Sequence, residues 1–273
     1  MNLNSIVNNI RCKKSFLCVG LDPDLNLLPK CLLDYEDPVF EFNKAIIDAT
    51  SDLCVAYKPN LAFYEKLGPS GWSSLEKTIK YIPDEHFIIA DAKRSDIFNS
   101  ANMYADTFFD YLKCHGVTIS PYMGLDSVSP FLRKNKWAIL LIATSNPSAS
   151  AIQNIITNNN IPLYLELVHQ VNSWTDQYNT MFVVGATRLS EMKEIRKIAS
   201  NHFFLVPGVG AQGGSVKDVF NYGHNKNCGL LVNVSRAIIY AGSDTDFKDE
   251  IRQVSLSIQQ EMELLLKDKK IIF

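Results

Sequence analysis

Apolar runs of five or six residues recur along this 273-residue chain at regular intervals, at 16–20, 54–58, 87–91, 116–120, 138–143, 181–185, 203–207 and 229–234. Each is rich in Val, Ile, Leu, Phe or Ala and reads as a strand buried on both faces. Between the runs, apolar positions return every three or four residues, as over 37–51, 97–114, 189–200 and 215–222, which predicts amphipathic helices. Eight strands alternating with helices over about 250 residues is the pattern of a (β/α)8 TIM barrel. A doubly wound open sheet shares the alternation, but eight even units without a linker favour closure, and with it one domain spanning 1–273. The one long irregular connection, 145–161, has Asn158-Asn159-Asn160-Ile161-Pro162 at its polar tip and follows the fifth strand. Loops of that length are usually functional or disordered. Residues 247–266 read as a packing helix and 267–270 as a solvated tail.

Polar residues gather at the C-terminal ends of these runs. Asp91 and Lys93 close the third, and alternation along a strand sends both side chains to the same side. A carboxylate and an ammonium buried together are costly unless they pair. An isolated Asp-x-Lys can be a purely structural ion pair, so the other strand ends decide its meaning. Lys58 closes the second run, and Asp22 follows the first in Gly20-Leu21-Asp22-Pro23-Asp24. Ser145 follows the fifth in Thr144-Ser145-Asn146-Pro147, and Arg236 the eighth in Asn233-Val234-Ser235-Arg236. In a barrel these ends converge on one mouth, where catalysis is found. Pro121-Tyr122-Met123-Gly124, after the fourth run, reads either as an apolar wall of that mouth or as a turn on its rim.

The seventh run leads into Gly208-Val209-Gly210-Ala211-Gln212-Gly213-Gly214. This matches the dinucleotide pattern G-x-G-x-x-G, but that pattern belongs after the first strand, with an acidic residue about 20 positions on. Here it follows the seventh strand, and the next ends in Asn233. The glycines still let backbone amides approach an anion, and a helix from about Ser215 would point its N-terminus at it. Barrels commonly bind phosphate with the loops after strands seven and eight. The expectation is a phosphomonoester site made by Gln212, Gly213 and Arg236, with Arg236 as a bidentate clamp. No Gly-Lys-Ser/Thr follows, which excludes a nucleoside triphosphate P-loop.

A net charge of −2 provides no global field for nucleic acid or an anionic membrane, so any anionic ligand must be held locally. Six cysteines stand without a C-x-x-C pair, and Cys18 and Cys54 lie inside strand-like runs as small hydrophobes. No apolar stretch reaches spanning length and no signal-like segment is visible, so the expectation is a reduced, cytoplasmic protein. Asn233-Val234-Ser235 matches a glycosylation sequon at the level chance provides. His86, His115, His202 and His224 sit at loop or helix ends and read as solvated or capping residues without partners, and His169 as part of a helix-packing face. Without paired histidines, a zinc site has no support.

Taken together, Asp91-x-Lys93-x-x-Asp96, Lys58, the 208–214 loop and Arg236 resemble the orotidine 5′-phosphate decarboxylase family, over essentially the whole chain. The spellings Ala90-Asp91-Ala92-Lys93-Arg94-Ser95-Asp96-Ile97 and Ala143-Thr144-Ser145-Asn146-Pro147 are similar to its longer bacterial-type subgroup. The resemblance implies a cofactor-free decarboxylation of orotidine 5′-phosphate to uridine 5′-phosphate, the last step of pyrimidine synthesis. It assigns Lys58, Asp91, Lys93 and Asp96 to an alternating charged network, with Lys93 as proton donor to C6 of the pyrimidine. It places Asp22 on the ribose, Ser145 on the pyrimidine, and Gln212 and Arg236 on the phosphate. It also implies a homodimer in which Asp96 and Ser100 enter the neighbouring subunit's site. Magnesium-dependent barrels acting on sugar phosphates share Asp-x-Lys-x-x-Asp, and a non-catalytic nucleotide binder is a rival of another class.

Overall fold

The computed structural model describes residues 1–210, 213–243 and 245–272. Eight parallel strands close into a barrel in sequence order: β1 Leu17–Leu21, β2 Ala56–Pro59, β3 Phe87–Arg94, β4 Gly116–Ile119, β5 Trp137–Ala143, β6 Thr180–Val184, β7 Phe203–Pro207 and β8 Leu230–Val234. Closure is made by β1 on β8, with Leu17 opposite Val232 and Val19 opposite Val234. The open-sheet alternative is thereby excluded. Every expected strand is present, because a parallel strand covered on both faces has to be apolar almost throughout.

The helices in chain order are α1 Leu3–Lys13, α2 Pro38–Thr50, α3 Leu61–Glu65, α4 Gly68–Tyr81, α5 Phe98–Asp106, α6 Leu125–Val128, α7 Ser150–Gln153, α8 Leu163–Trp174, α9 Leu189–Ile198, α10 Val216–Gly223, α11 Arg236–Ile239 and α12 Phe247–Asp268. Their starts follow local chemistry. Asp37 caps α2 through the amide of Phe40 at 3.0 Å, with Pro38 in the first turn, and Asn2 caps α1 through Ser5 at 2.9 Å.

Helix α1, not anticipated from the pattern, lies across the N-terminal end of the barrel and buries Ile6, Val7 and Ile10. The Met1 carbonyl accepts from the Trp137 indole at 2.9 Å, and Lys13 reaches the Ser51 carbonyl and His86.

Several expectations change here. The helix expected over 97–114 stops being regular at Asp106 and continues as one wide turn, Thr107–Tyr111, where Leu112 N donates to Thr107 O at 2.9 Å. The histidines expected to lack partners have them. His86 is fully buried between Lys13, the Ser51 carbonyl and the Tyr57 ring, and His115 accepts from the Ile88 amide at 3.1 Å. His202 stacks on Phe182, and His224 stacks on Phe220. His169, expected to pack, is exposed on α8. The terminal lysines are solvated, but the chain after them turns back and buries Ile271 and Ile272, so 267–270 is not a free tail. Asn233 lies buried within β8, out of reach of glycosylation.

Candidate active site

A cavity of about 660 Å³ opens at the C-terminal ends of the strands. Asp22, Lys58, Asp91, Lys93, Ser145 and Arg236, contributed by the ends of five strands, all line it. Its centre is one carboxylate between two ammonium groups. Lys58 Nζ donates to Asp91 Oδ2 at 2.7 Å, and Lys93 Nζ donates to Asp91 Oδ1 at 2.6 Å. The side chains of Lys58 and Asp91 are 4% and 10% exposed, whereas Lys93 is 51% exposed and reaches the open space.

Lys93 does not arrive there by regular strand alternation. Ala90 pairs with Val117 and Arg94 with Ile119, so β3 carries three residues where β4 has only Thr118. Lys93 sits at a φ of 48°, a left-handed conformation uncommon for a residue with a Cβ. Backbone strain of this kind collects at functional sites. Thr118 holds the bulge together: its hydroxyl accepts the Lys93 amide at 3.0 Å and donates to Asp91 Oδ1 at 2.9 Å. Nothing in the sequence marks Thr118, because a threonine in a strand is ordinary.

The electrostatics follow from this packing. Burial pushes the Asp91 carboxyl up, but Lys58 and Lys93 outweigh it and hold the group below the usual carboxylate range. Burial likewise works to lower the Lys58 ammonium, and Asp91 followed by Asp22 reverses it, so the net shift is upward. The pair is therefore fully ionised near neutrality.

Around this core, Ser235 Oγ donates to Asp22 Oδ2 at 2.5 Å, while Asp22 Oδ1 is buried without a hydrogen-bond partner among the described residues. Tyr240 braces the same turn, donating to the Asp22 carbonyl at 2.9 Å and accepting the Asp24 amide at 2.7 Å. Arg236 opens α11 directly after β8 and forms no ion pair among the described residues, so it stands as an uncommitted cation on the cavity wall. Pro121 and Tyr122 join the wall as a short turn.

The loop after β7 differs from its expectation. Gly208, Gly210 and Gly213 all have positive φ, but the amides of Gly210, Gly213 and Gly214 donate to Gly214 O, Gly210 O and Gly208 O within the loop. Gln212 lies outside the described residues. Gly213 is exposed and does not line the cavity. Asp96 and Ser100 are half-buried near the start of α5 and are not on the cavity wall; Asp96 Oδ1 accepts the Ile97 amide at 2.7 Å. Among the described residues, no group of three or more His, Cys, Asp or Glu is placed to hold a metal ion, and no helix is long and apolar enough to cross a membrane.

A closed (β/α)8 barrel that collects opposed charges at the C-terminal ends of its strands, with a free arginine after strand eight, defines an enzyme of the barrel class built to act on a small anionic substrate. A sequence model described as "Orotidine 5′-phosphate decarboxylase / HUMPS family" matches residues 15–248, and the chain belongs to that family. It is 52% identical to the orotidine 5′-phosphate decarboxylase of Parabacteroides distasonis, over 100% of this chain and 99% of that protein. It is also 52% identical to that of Flavobacterium johnsoniae, over 98% of this chain and 100% of that protein. Among solved structures, the OMP decarboxylase of Leishmania donovani matches with a TM-score of 0.84 and 33% identity, covering 97% of this chain and 99% of that one. The UMP synthase of the same organism matches equally well, with this chain spanning 56% of its length.

Proposed function

We propose that this protein decarboxylates orotidine 5′-phosphate to uridine 5′-phosphate and carbon dioxide, completing the synthesis of the pyrimidine nucleotide. The observation that carries the reading is Asp91 held between Lys58 and Lys93 in the barrel cavity. As the C6–carboxylate bond breaks, its electron pair stays on C6 while carbon dioxide leaves. No ring position can delocalise that charge, so a fixed cation beside it has to stabilise it. Lys93 is that cation and also gives its proton to C6. Its solvent-facing side chain lets it recover a proton from water. Asp91 aims Lys93 through the hydrogen bond between them, and its depressed carboxyl stays an anion throughout. Lys58 stabilises Asp91 from the buried side and, with Asp22, meets the ribose. Ser145 reaches the pyrimidine.

Phosphate binding rests on Arg236 with the 208–214 loop, including Gly213 and Gln212. The loop's internal hydrogen bonds are exchanged for bonds to the phosphate as it closes. The working unit is a homodimer in which Asp96 and Ser100 of each subunit complete the other's site. In support, both residues lie off their own cavity, and Ile97, Phe98 and Met103 beside them are apolar and exposed. The whole chain acts as one domain in the cytoplasm. The magnesium-dependent sugar-phosphate reading is not supported, since the relatives at about half identity carry the decarboxylase name. The test is the absorbance change of orotidine 5′-phosphate with and without EDTA: turnover is expected in both. Tight uridine 5′-phosphate binding without turnover would leave a non-catalytic binder instead.

A further inference from the structure

The long connection after β5 folds back on the strand it leaves. Gln153, at the end of α7, turns its side-chain amide onto Thr144. Its Oε1 accepts the Thr144 amide at 3.0 Å, and its Nε2 donates to Thr144 Oγ1 at 2.8 Å. Thr144 Oγ1 in turn donates to Asn146 Oδ1 at 2.7 Å. The residues on either side of Ser145 are thus tied into one chain of hydrogen bonds that ends on Gln153, and all four line the cavity. The opposite side of Ser145 is fixed by β6. A Cβ built on Gly185 would fall 2.9 Å from Ser145 Cβ and 3.0 Å from its amide nitrogen, and the Gly185 amide donates to the Ala143 carbonyl at 2.7 Å. Ser145 is pressed against a bare glycine on one side and clasped from the loop on the other.

We infer that Gln153 is a positioning residue for Ser145: the 145–161 connection is a clasp that sets the pyrimidine contact of the decarboxylation. The inference rests on the reading of Ser145 as that contact. Beyond β5 the barrel has no further strand pairing to hold the chain, and Gln153 supplies one main-chain and one side-chain bond in its place. Paired hydrogen bonds from one amide fix orientation as well as distance, which single contacts do not.

The test compares wild type, Ser145→Ala, Gln153→Ala and the double variant, measuring kcat/KM and the affinities for uridine 5′-phosphate and for ribose 5-phosphate, which has no pyrimidine. Gln153→Ala is expected to lose about tenfold in kcat/KM and in uridine 5′-phosphate affinity while keeping ribose 5-phosphate affinity. In the Ser145→Ala background the same change should cost nothing more, since coupled residues are non-additive. Gln153→Glu, which keeps an acceptor for the Thr144 amide, should recover part of the loss. A costly Ser145→Ala beside a silent Gln153→Ala overturns the inference alone. A silent Ser145→Ala overturns it together with the pyrimidine reading. Equal loss of both ligands overturns it too, because the loop would then be supporting the site as a whole.

Discussion

At the N-terminal end of the barrel, His86, His115 and His202 each stand one residue before a strand, with His86 against Lys13 of the plug made by α1. At the C-terminal end, Asp22, Lys58, Asp91, Lys93 and Arg236 stand at or just past the ends of strands of the same kind. The first set is neutral: burial, reinforced by Lys13 at His86 and by Arg196 at His202, pushes all three imidazoles down, His115 to about 3 and His202 to about 4. The second set is charged and only partly satisfied by its own chain. Asp22 Oδ1 and Arg236 have no hydrogen-bond or ion-pair partner among the described residues. A polar group held neutral in the interior belongs to the packing of the barrel, whereas a charged one left open on the cavity wall is available to a ligand. The two ends divide these tasks.

The comparison makes substitutions at the mouth kinetic and those at the base thermodynamic. Lys93→Ala is expected to lower kcat by about 10³-fold or more, the scale for losing a positioned proton donor that also faces developing charge, with the fold and uridine 5′-phosphate binding kept. Single-turnover assays check this, and activity within tenfold of wild type would remove Lys93 as the proton donor.

Asp96 tests whether the mouth is completed by a second subunit. Inactive Lys93→Ala and Asp96→Ala proteins, mixed and allowed to exchange, should regain roughly a quarter of wild-type activity. Half the dimers are then mixed, and each has one intact site. Proven exchange with no recovery would return Asp96 to its own chain.

Arg236→Ala is expected to cost about 2–3 kcal/mol in kcat/KM for orotidine 5′-phosphate, the range of a charge-assisted contact, and little for orotidine, which lacks the phosphate. Equal loss on both substrates would make Arg236 structural.

The smallest effect is expected at the base. An unfolded histidine titrates near 6.5 and His202 in the fold at about 4, so between these values the unfolded chain binds more protons. The His202 contribution is therefore fully present above pH 6.5 and is lost as pH falls toward 4. His202→Phe keeps the stack on Phe182 and removes the buried, unpartnered Nε2. It should leave activity and neutral-pH stability within about 1 kcal/mol of wild type and flatten the acid fall of the urea midpoint. An unchanged acid slope would assign the sensitivity elsewhere.

Much of this molecule could be read before any coordinate. The eight strands stand out because burial on both faces leaves each a nearly unbroken apolar run. Lys58, Asp91 and Lys93 stand out because a charge at the end of such a run needs a reason. What the sequence concealed is of two kinds. Helix α1 has few apolar positions, and its burial depends on the barrel end it covers. Thr118, Ser235 and Gln153 are ordinary polar residues in ordinary places; the roles of Thr118 and Ser235 arise from atoms distant in sequence, at Asp91 and Asp22, and that of Gln153 from a loop that folds back onto Thr144. The bulge that turns Lys93 back onto Asp91 belongs to the same kind. Composition and periodicity record which residues must leave water, a property each residue carries by itself. Which polar groups then meet depends on strand register and backbone direction, and those exist only once the barrel has closed.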